Sequence, residues 1–263
     1  MFKRELKVNL KNFIIWLLIL VGIFSLAYMI YPSIINSDNI KMMDEMLEMF
    51  PKEVLIAFNM DISSMDSAFG WLKYEGFVFA LLIIGCYASI LGSNIVLKEE
   101  NDKTIEYLIS LPIKRINIVN KKIIVGLIYI ILMVILFGIF NYIGLSLSGE
   151  FNKKQYILLS ITPIFSSIVL YFICVFISTF TNKTKKMFGL SLGIILISYM
   201  LQMLSAMSES VEFLKYFSVF TLADIRNVII DIAINPYMII MSILLSIILY
   251  ILTIIRYNKK ELI

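Results

Sequence analysis

Six long runs free of charged residues set the pattern of this chain: 13–31, 77–97, 123–147, 156–180, 187–207 and 237–255. Each approaches or exceeds the roughly 20 apolar residues that a helix needs to cross a hydrocarbon core about 30 Å thick. None alternates apolar and polar positions over short segments, as the strands of a membrane barrel do. The pattern predicts an all-α polytopic membrane protein with six transmembrane helices, a single transmembrane domain over residues 1–263. The first run is longer than the apolar part of a secretory signal. Only YMIYPSII follows it, with no small-x-small cleavage site. It reads as a retained span.

The segments between the runs carry patterns of their own. At the N-terminus Phe2, Leu6 and Leu10 recur every fourth residue, with Lys3, Arg4, Lys7 and Lys11 largely opposite. That spacing predicts a short elbow helix lying in the cytoplasmic interface before the first span, with an unstructured basic anchor as the alternative. Between spans one and two, an amphipathic helix is expected to stop before Pro51, with a second helical piece after it. Its Met43, Met46 and Met49 have the spacing of a thioether ladder for Cu(I). No Cys or His supports a copper site, so Met42, Met46, Met49 and Phe50 read better as an adaptable packing face.

The segment before span six interleaves Phe213, Tyr216, Phe217 and Phe220 with Glu209, Glu212, Asp224, Arg226 and Asp231. It is too apolar for a free loop, and it predicts a segment that dips partly into the membrane, its non-helical backbone covered by protein or water. Between spans two and three, ten charges surround a short apolar stretch. Asn101 or Asp102 caps a helix whose Ile105, Leu108 and Ile109 share one face, and Pro112 ends it. A second helical piece then leads through Ile116 and Val119 into span three. Such a helix either inserts its apolar anchors into a partner's groove or rests on the lipid surface. Spacing leaves both open.

Composition agrees with the periodicity. Of 263 residues, 60% are hydrophobic and 16% charged, against 45–50% and about 25% in soluble domains. Charge then orients the chain. With the N-terminus inside, the inside segments 1–12, 98–122, 181–186 and 256–263 hold 16 of the 23 Lys and Arg residues. The outside segments hold 7 basic and 13 acidic residues, so net charge is +10 inside and −6 outside. Basic residues are retained on the cytoplasmic side. Both termini are expected there, and the excess of positive charge reflects topology, with no nucleic-acid site implied.

Chemistry narrows the function. There is no histidine, which removes His-based catalysis and His metal sites. Cys86 and Cys174 lie inside spans and form no disulfide framework. An ion-coupled carrier needs ionisable residues within its spans, whereas the predicted spans offer only uncharged polar groups such as Ser93, Asn94, Asn141, Thr162 and Gln202. Those fit interhelical hydrogen bonding. An intramembrane enzyme would have to use Glu99 and Glu100, yet paired glutamates of the CAAX-protease kind also need histidines, and no G-x-S-x-G elbow exists. Neither a phosphate-binding G-x-x-x-x-G-K-[ST] loop nor a soluble domain of ATPase size is present. If ATP drives this protein, its machinery sits on a partner.

The stretch EENDKTIEYLISLPIKRINIVNKK resembles the cytoplasmic motif of type-2 ABC exporter permeases, roughly E-x-x-x-G-T-L-E-x-L-L-x-L-P-x-x-R. The matching positions are Glu100, which stands one residue nearer than the pattern's spacing and beside Glu99, and Thr104, Glu106, Leu108, Ile109, Leu111, Pro112 and Arg115; Lys103 stands where the family has glycine. The basic N-terminus, the six spans, the large segment after span one and the aromatic segment before span six are similar to the family as well, and the resemblance implies that this last segment forms short re-entrant helices at the outer face. Val219 replaces the proline that frequently follows YFS. The resemblance implies a permease of a bacterial plasma membrane that pairs with a second copy or a related chain and binds two cytosolic ABC ATPases. ATP and Mg would be held on those partners, with no cofactor on this chain. Residues 105–112 would form a coupling helix that passes ATPase movement to the spans, and the cargo would be an amphipathic or lipophilic peptide, drug or lipid.

Overall fold

The computed structural model describes residues 2–34, 45, 49–51, 54–55, 67–102, 104, 114–223 and 225–260. Among these, six helices are long and apolar enough to cross a bilayer. They are α1 (Phe2–Ile34), α2 (Ala68–Asn101), α3 (Arg115–Ser148), α4 (Lys153–Ser178), α5 (Thr184–Met207) and α7 (Pro236–Lys259). Two 3-10 helices, Glu209–Phe217 and Val219–Ala223, and the short α6 (Ile225–Asp231) fill the stretch before α7. Every apolar run found in the sequence lies in one of the six long helices, apart from the last two residues of the fourth run. Several of those helices run further than the uncharged stretches do.

Local chemistry explains the helix ends. Ser67 Oγ accepts from the Gly70 amide to start α2, Asn152 Oδ1 accepts from Gln155 N before α4, and Asn235 Oδ1 accepts from Tyr237 N before α7. These are N-caps, satisfying donors that the first helical turn leaves orphaned. Pro236 occupies the first position of α7, where a missing amide proton costs nothing. Gly149 closes α3 at φ +147°, a region that side chains disfavour. Pro163 interrupts α4 in its first half. Its ring removes an amide donor, and the Thr162 hydroxyl donates to Leu159 O instead, at 2.8 Å.

The centre of the bundle is the seam between α2 and α4, where small residues let backbones approach. A Cβ on Gly92 of α2 would stand 2.5 Å from the carbonyl oxygen of Tyr171 on α4. One on Gly126 of α3 would overlap the Tyr171 ring. The fully buried Tyr171 is therefore wedged among three helices, and its hydroxyl donates to Ile123 O at 3.2 Å. Of the uncharged polar residues in the spans, Asn141 accepts from Tyr28 OH of α1 at 3.0 Å and Gln202 accepts from Thr221. Ser93 and Thr162 instead bond within their own helices.

The expected elbow helix is not a separate element. α1 is one unbroken helix of 33 residues from Phe2 onward. Phe2 and Leu6 pack on the protein core, and Leu6 O accepts from Tyr129 OH of α3. Two members of the stripe that reads as lipid-facing, Phe2 and Leu6, are thus turned to the protein, while the third, Leu10, is exposed.

The re-entrant expectation fares better. Ser218, between the two 3-10 helices, donates to Ser198 O, and Ser198 Oγ accepts from Val219 N at 2.8 Å. Ser198 lies nine residues before Met207, so the segment dips about 13 Å back along α5. Phe220 at its deepest point packs edge-on against Tyr199 and reaches Gly85 of α2. Of the first loop little is described: Met43 and Met46 lie outside the described residues, and Met49 is exposed.

Candidate coupling site at the charged end of the bundle

The uncharged runs end at residue 97 and resume at 123, but the helices continue past both limits. α2 runs on to Asn101 and α3 begins at Arg115. The extra turns carry charge to the same end of the bundle as the start of α1, the α4–α5 turn and the end of α7. Two clusters form there.

The first centres on Lys122. Its ammonium donates to Glu99 Oε1 at 2.5 Å, to Glu5 Oε2 at 3.3 Å and to Ile95 O at 3.0 Å. All three side chains are almost wholly buried. A lysine has three protons to give, and here each meets an acceptor. The cluster joins α1, α2 and α3. Two carboxylates facing one ammonium also make Lys122 the group whose loss would leave two anions out of water.

The second cluster centres on Lys260. Its ammonium donates to Glu100 Oε1 and Oε2 at 2.9 and 2.8 Å and to Thr181 O at 3.0 Å, with both side chains buried. Its own carbonyl accepts from Arg115 Nη1 at 3.3 Å. Thr184 donates to Asn101 Oδ1, Tyr250 donates to Asn120 Oδ1, and Arg256 lies over the Phe180 ring at 4.9 Å. The end of α7 is thus tied to both flanks of the 105–113 stretch and to the α4–α5 turn.

Three of the residues that the family motif singles out are described. Glu100 is buried in the pair with Lys260. Thr104 is exposed, and its amide donates to Glu99 O, capping α2. Arg115 is exposed and opens α3. Ile105, Glu106, Leu108, Ile109, Leu111 and Pro112 lie outside the described residues. Ile116 and Val119, expected on a second helical piece leading into span three, lie in the first turns of α3.

Sequence reasoning missed Glu5, Lys122 and Lys260 as members of a site. Glu5 did carry a signal, as the one acid among four bases at the N-terminus. Glu99 stood out as half of a glutamate pair, but no partner was visible for it. Lys122 and Lys260 look like any other basic flank of an apolar run.

A family model described as ABC-2 family transporter protein matches residues 1–262. The chain belongs to the ABC-2 transporter family. This ABC-2 chain is a multi-pass membrane protein and a transport subunit of an ABC transporter, whose family partners with a separate ABC ATPase subunit that binds the nucleotide. Neither a curated protein nor a solved structure matches it.

Proposed function

We propose that this ABC-2 chain is the permease of an ATP-driven exporter, moving an amphipathic or lipophilic molecule outward. Two permease copies, or this chain and a related one, work with two cytosolic ATPases. The charged end of the bundle faces the cytoplasm, in line with the 16 to 7 division of basic residues. Ile105, Leu108 and Ile109 anchor the ATPase, Glu106 and Arg115 orient it, and Leu111 and Pro112 close the docking helix.

The observation that carries this reading is the pair of charge clusters on either flank of residues 105–113. Glu99 and Glu100 on one flank, with Arg115 and Lys122 on the other, are bonded to α1, to the α4–α5 turn and to α7. A push on the docking helix therefore reaches three other parts of the bundle without passing through lipid. Arg115, exposed at the start of α3, adds to this fastening by donating to the Lys260 carbonyl.

Co-purification with the ATPase, at matched expression, tests the docking role. Truncating a central interface anchor costs about 2–4 kcal/mol, roughly 30- to 1000-fold in affinity, whereas an exposed charge contributes about 0–1 kcal/mol. Leu108→Ala is expected to lose the ATPase and Lys114→Ala to keep it. Equal recovery with both variants returns residues 105–112 to the lipid surface. Orientation is tested in a background lacking Cys86 and Cys174. Cysteines at Lys41 and Glu209 are expected to react with impermeant reagents outside, while one at Lys185 stays protected.

A further inference from the structure

The two permease-wide clusters leave one large feature unused: a cleft of about 610 Å³ bounded by α4, α7 and the 3-10 helices. Both spans run away from the re-entrant segment toward the charged end, where Thr181 and Lys260 meet. One end of the cleft is polar, lined by Lys215, Asn227 and Asn235. The other end is apolar, lined by Ile173, Leu245 and Leu249. From Met238 to Leu249 the apolar wall is about 16 Å long at the helical rise per residue, close to half of a hydrocarbon core about 30 Å thick. Ligand sites of 300–1,000 Å³ with apolar walls and a few polar groups are typical of small-molecule binding.

We infer that this cleft holds one acyl chain of a zwitterionic phospholipid, drawn from the leaflet on the side of residues 209–217. Four observations favour that occupant. The length of the apolar wall is one leaflet. A methylene fills about as much space as a water, roughly 30 Å³, so the volume takes a chain of common membrane length. Tyr216 and Tyr237, both more than half exposed, flank the polar mouth; tyrosines gather at head-group level. The mouth also carries both charges, since Lys215 holds Glu212 Oε1 at 2.5 Å. A neutral ion pair beside two amides complements a head group that has one phosphate and one ammonium, and it gives no advantage to an anionic lipid. A chain seated here would pack between α4, α7 and the re-entrant segment. The inference does not depend on the direction of transport or on which face of the membrane is cytoplasmic.

The full-length protein, reconstituted in nanodiscs of equal phosphatidylethanolamine and phosphatidylglycerol and released into mild detergent, is read by native mass spectrometry. Retained phosphatidylethanolamine is expected on the wild type. Leu245→Trp fills the deep end; displacing two or three methylenes at ~0.8 kcal/mol each lowers retention about 15- to 60-fold. Leu244→Trp, one residue away and absent from the cleft lining, is expected to retain lipid as the wild type does. A phosphatidylethanolamine with a photoreactive group near the end of its chain should label the Leu245–Leu249 stretch of the wild type, so the test survives if Leu245→Trp does not fold. The inference is overturned by equal retention of phosphatidylglycerol, by undiminished lipid on Leu245→Trp, or by label spread evenly over α1, α5 and α7. It is equally overturned if the wild type retains no lipid and Met241→Cys crosslinks two protein chains across the cleft.

Discussion

The α2–α4 seam and the outer helices α1 and α7 are held by different physics. In the most apolar stretch of α2, 72% of the residues are buried inside the molecule; in α1 the share is 17% and in α7 it is 22%. The seam rests on shape: Gly92 and Gly126 leave just enough room for Tyr171, and dispersion between close backbones does the holding. The outer helices cannot gain much from hydrophobic contact, since lipid tails are as apolar as their own leucines and isoleucines. They are fastened at the charged end, α1 through Glu5 and α7 through Lys260, while α1 has a second tie where Tyr28 meets Asn141. A closely packed centre with outer helices joined by ion pairs at the charged end is an arrangement in which force applied at that end reaches the outer helices directly.

The sharpest way to break this contrast is at Lys122. Lys122→Met strands two buried carboxylates, and breaking a buried pair costs about 3–5 kcal/mol. Thermal unfolding in detergent should show the largest loss of this series. Adding Glu5→Gln and Glu99→Gln to Lys122→Met is expected to recover most of it, because the stranded charges are gone. Lys260→Met leaves one carboxylate, Glu100, and is expected to cost less, about 2–3 kcal/mol. Its more telling readout is coupling: the ATPase should still co-purify, while substrate-stimulated ATP hydrolysis falls. A protein that keeps full stimulation after this change would show that the end of α7 needs no fastening.

The seam gives the next effect. Gly92→Ala forces a methyl against a carbonyl oxygen, and overpacking of this kind costs about 1–3 kcal/mol. The smallest change is at the periphery. Gly22 of α1 has nothing within 4 Å of an added Cβ. Gly22→Ala is expected to leave stability unchanged or raise it by about 0.5–1 kcal/mol, the ordinary helical gain over glycine. Similar melting temperatures for Gly92→Ala and Gly22→Ala would erase the distinction between seam and periphery.

The bilayer makes much of this chain legible. A span must be long, apolar and internally hydrogen-bonded, so the six runs announce their helices, and the aromatic stretch before span six announces a segment too apolar to leave the membrane. The family motif is legible for the same local reason: its residues are neighbours in sequence. Tertiary structure alone decides where a flanking charge goes. Lys121 and Lys122 stand side by side before the third apolar run, yet Lys122 is buried between two glutamates and Lys121 is only partly covered. The difference is set by helix phase and by what the facing helix offers, 23 residues away at Glu99 and 117 away at Glu5. The elbow helix misreads for a related reason. A stripe of Phe2 and Leu6 is equally suited to lipid and to a neighbouring helix, and only the presence of α3 with Tyr129 at that depth settles which surface covers it.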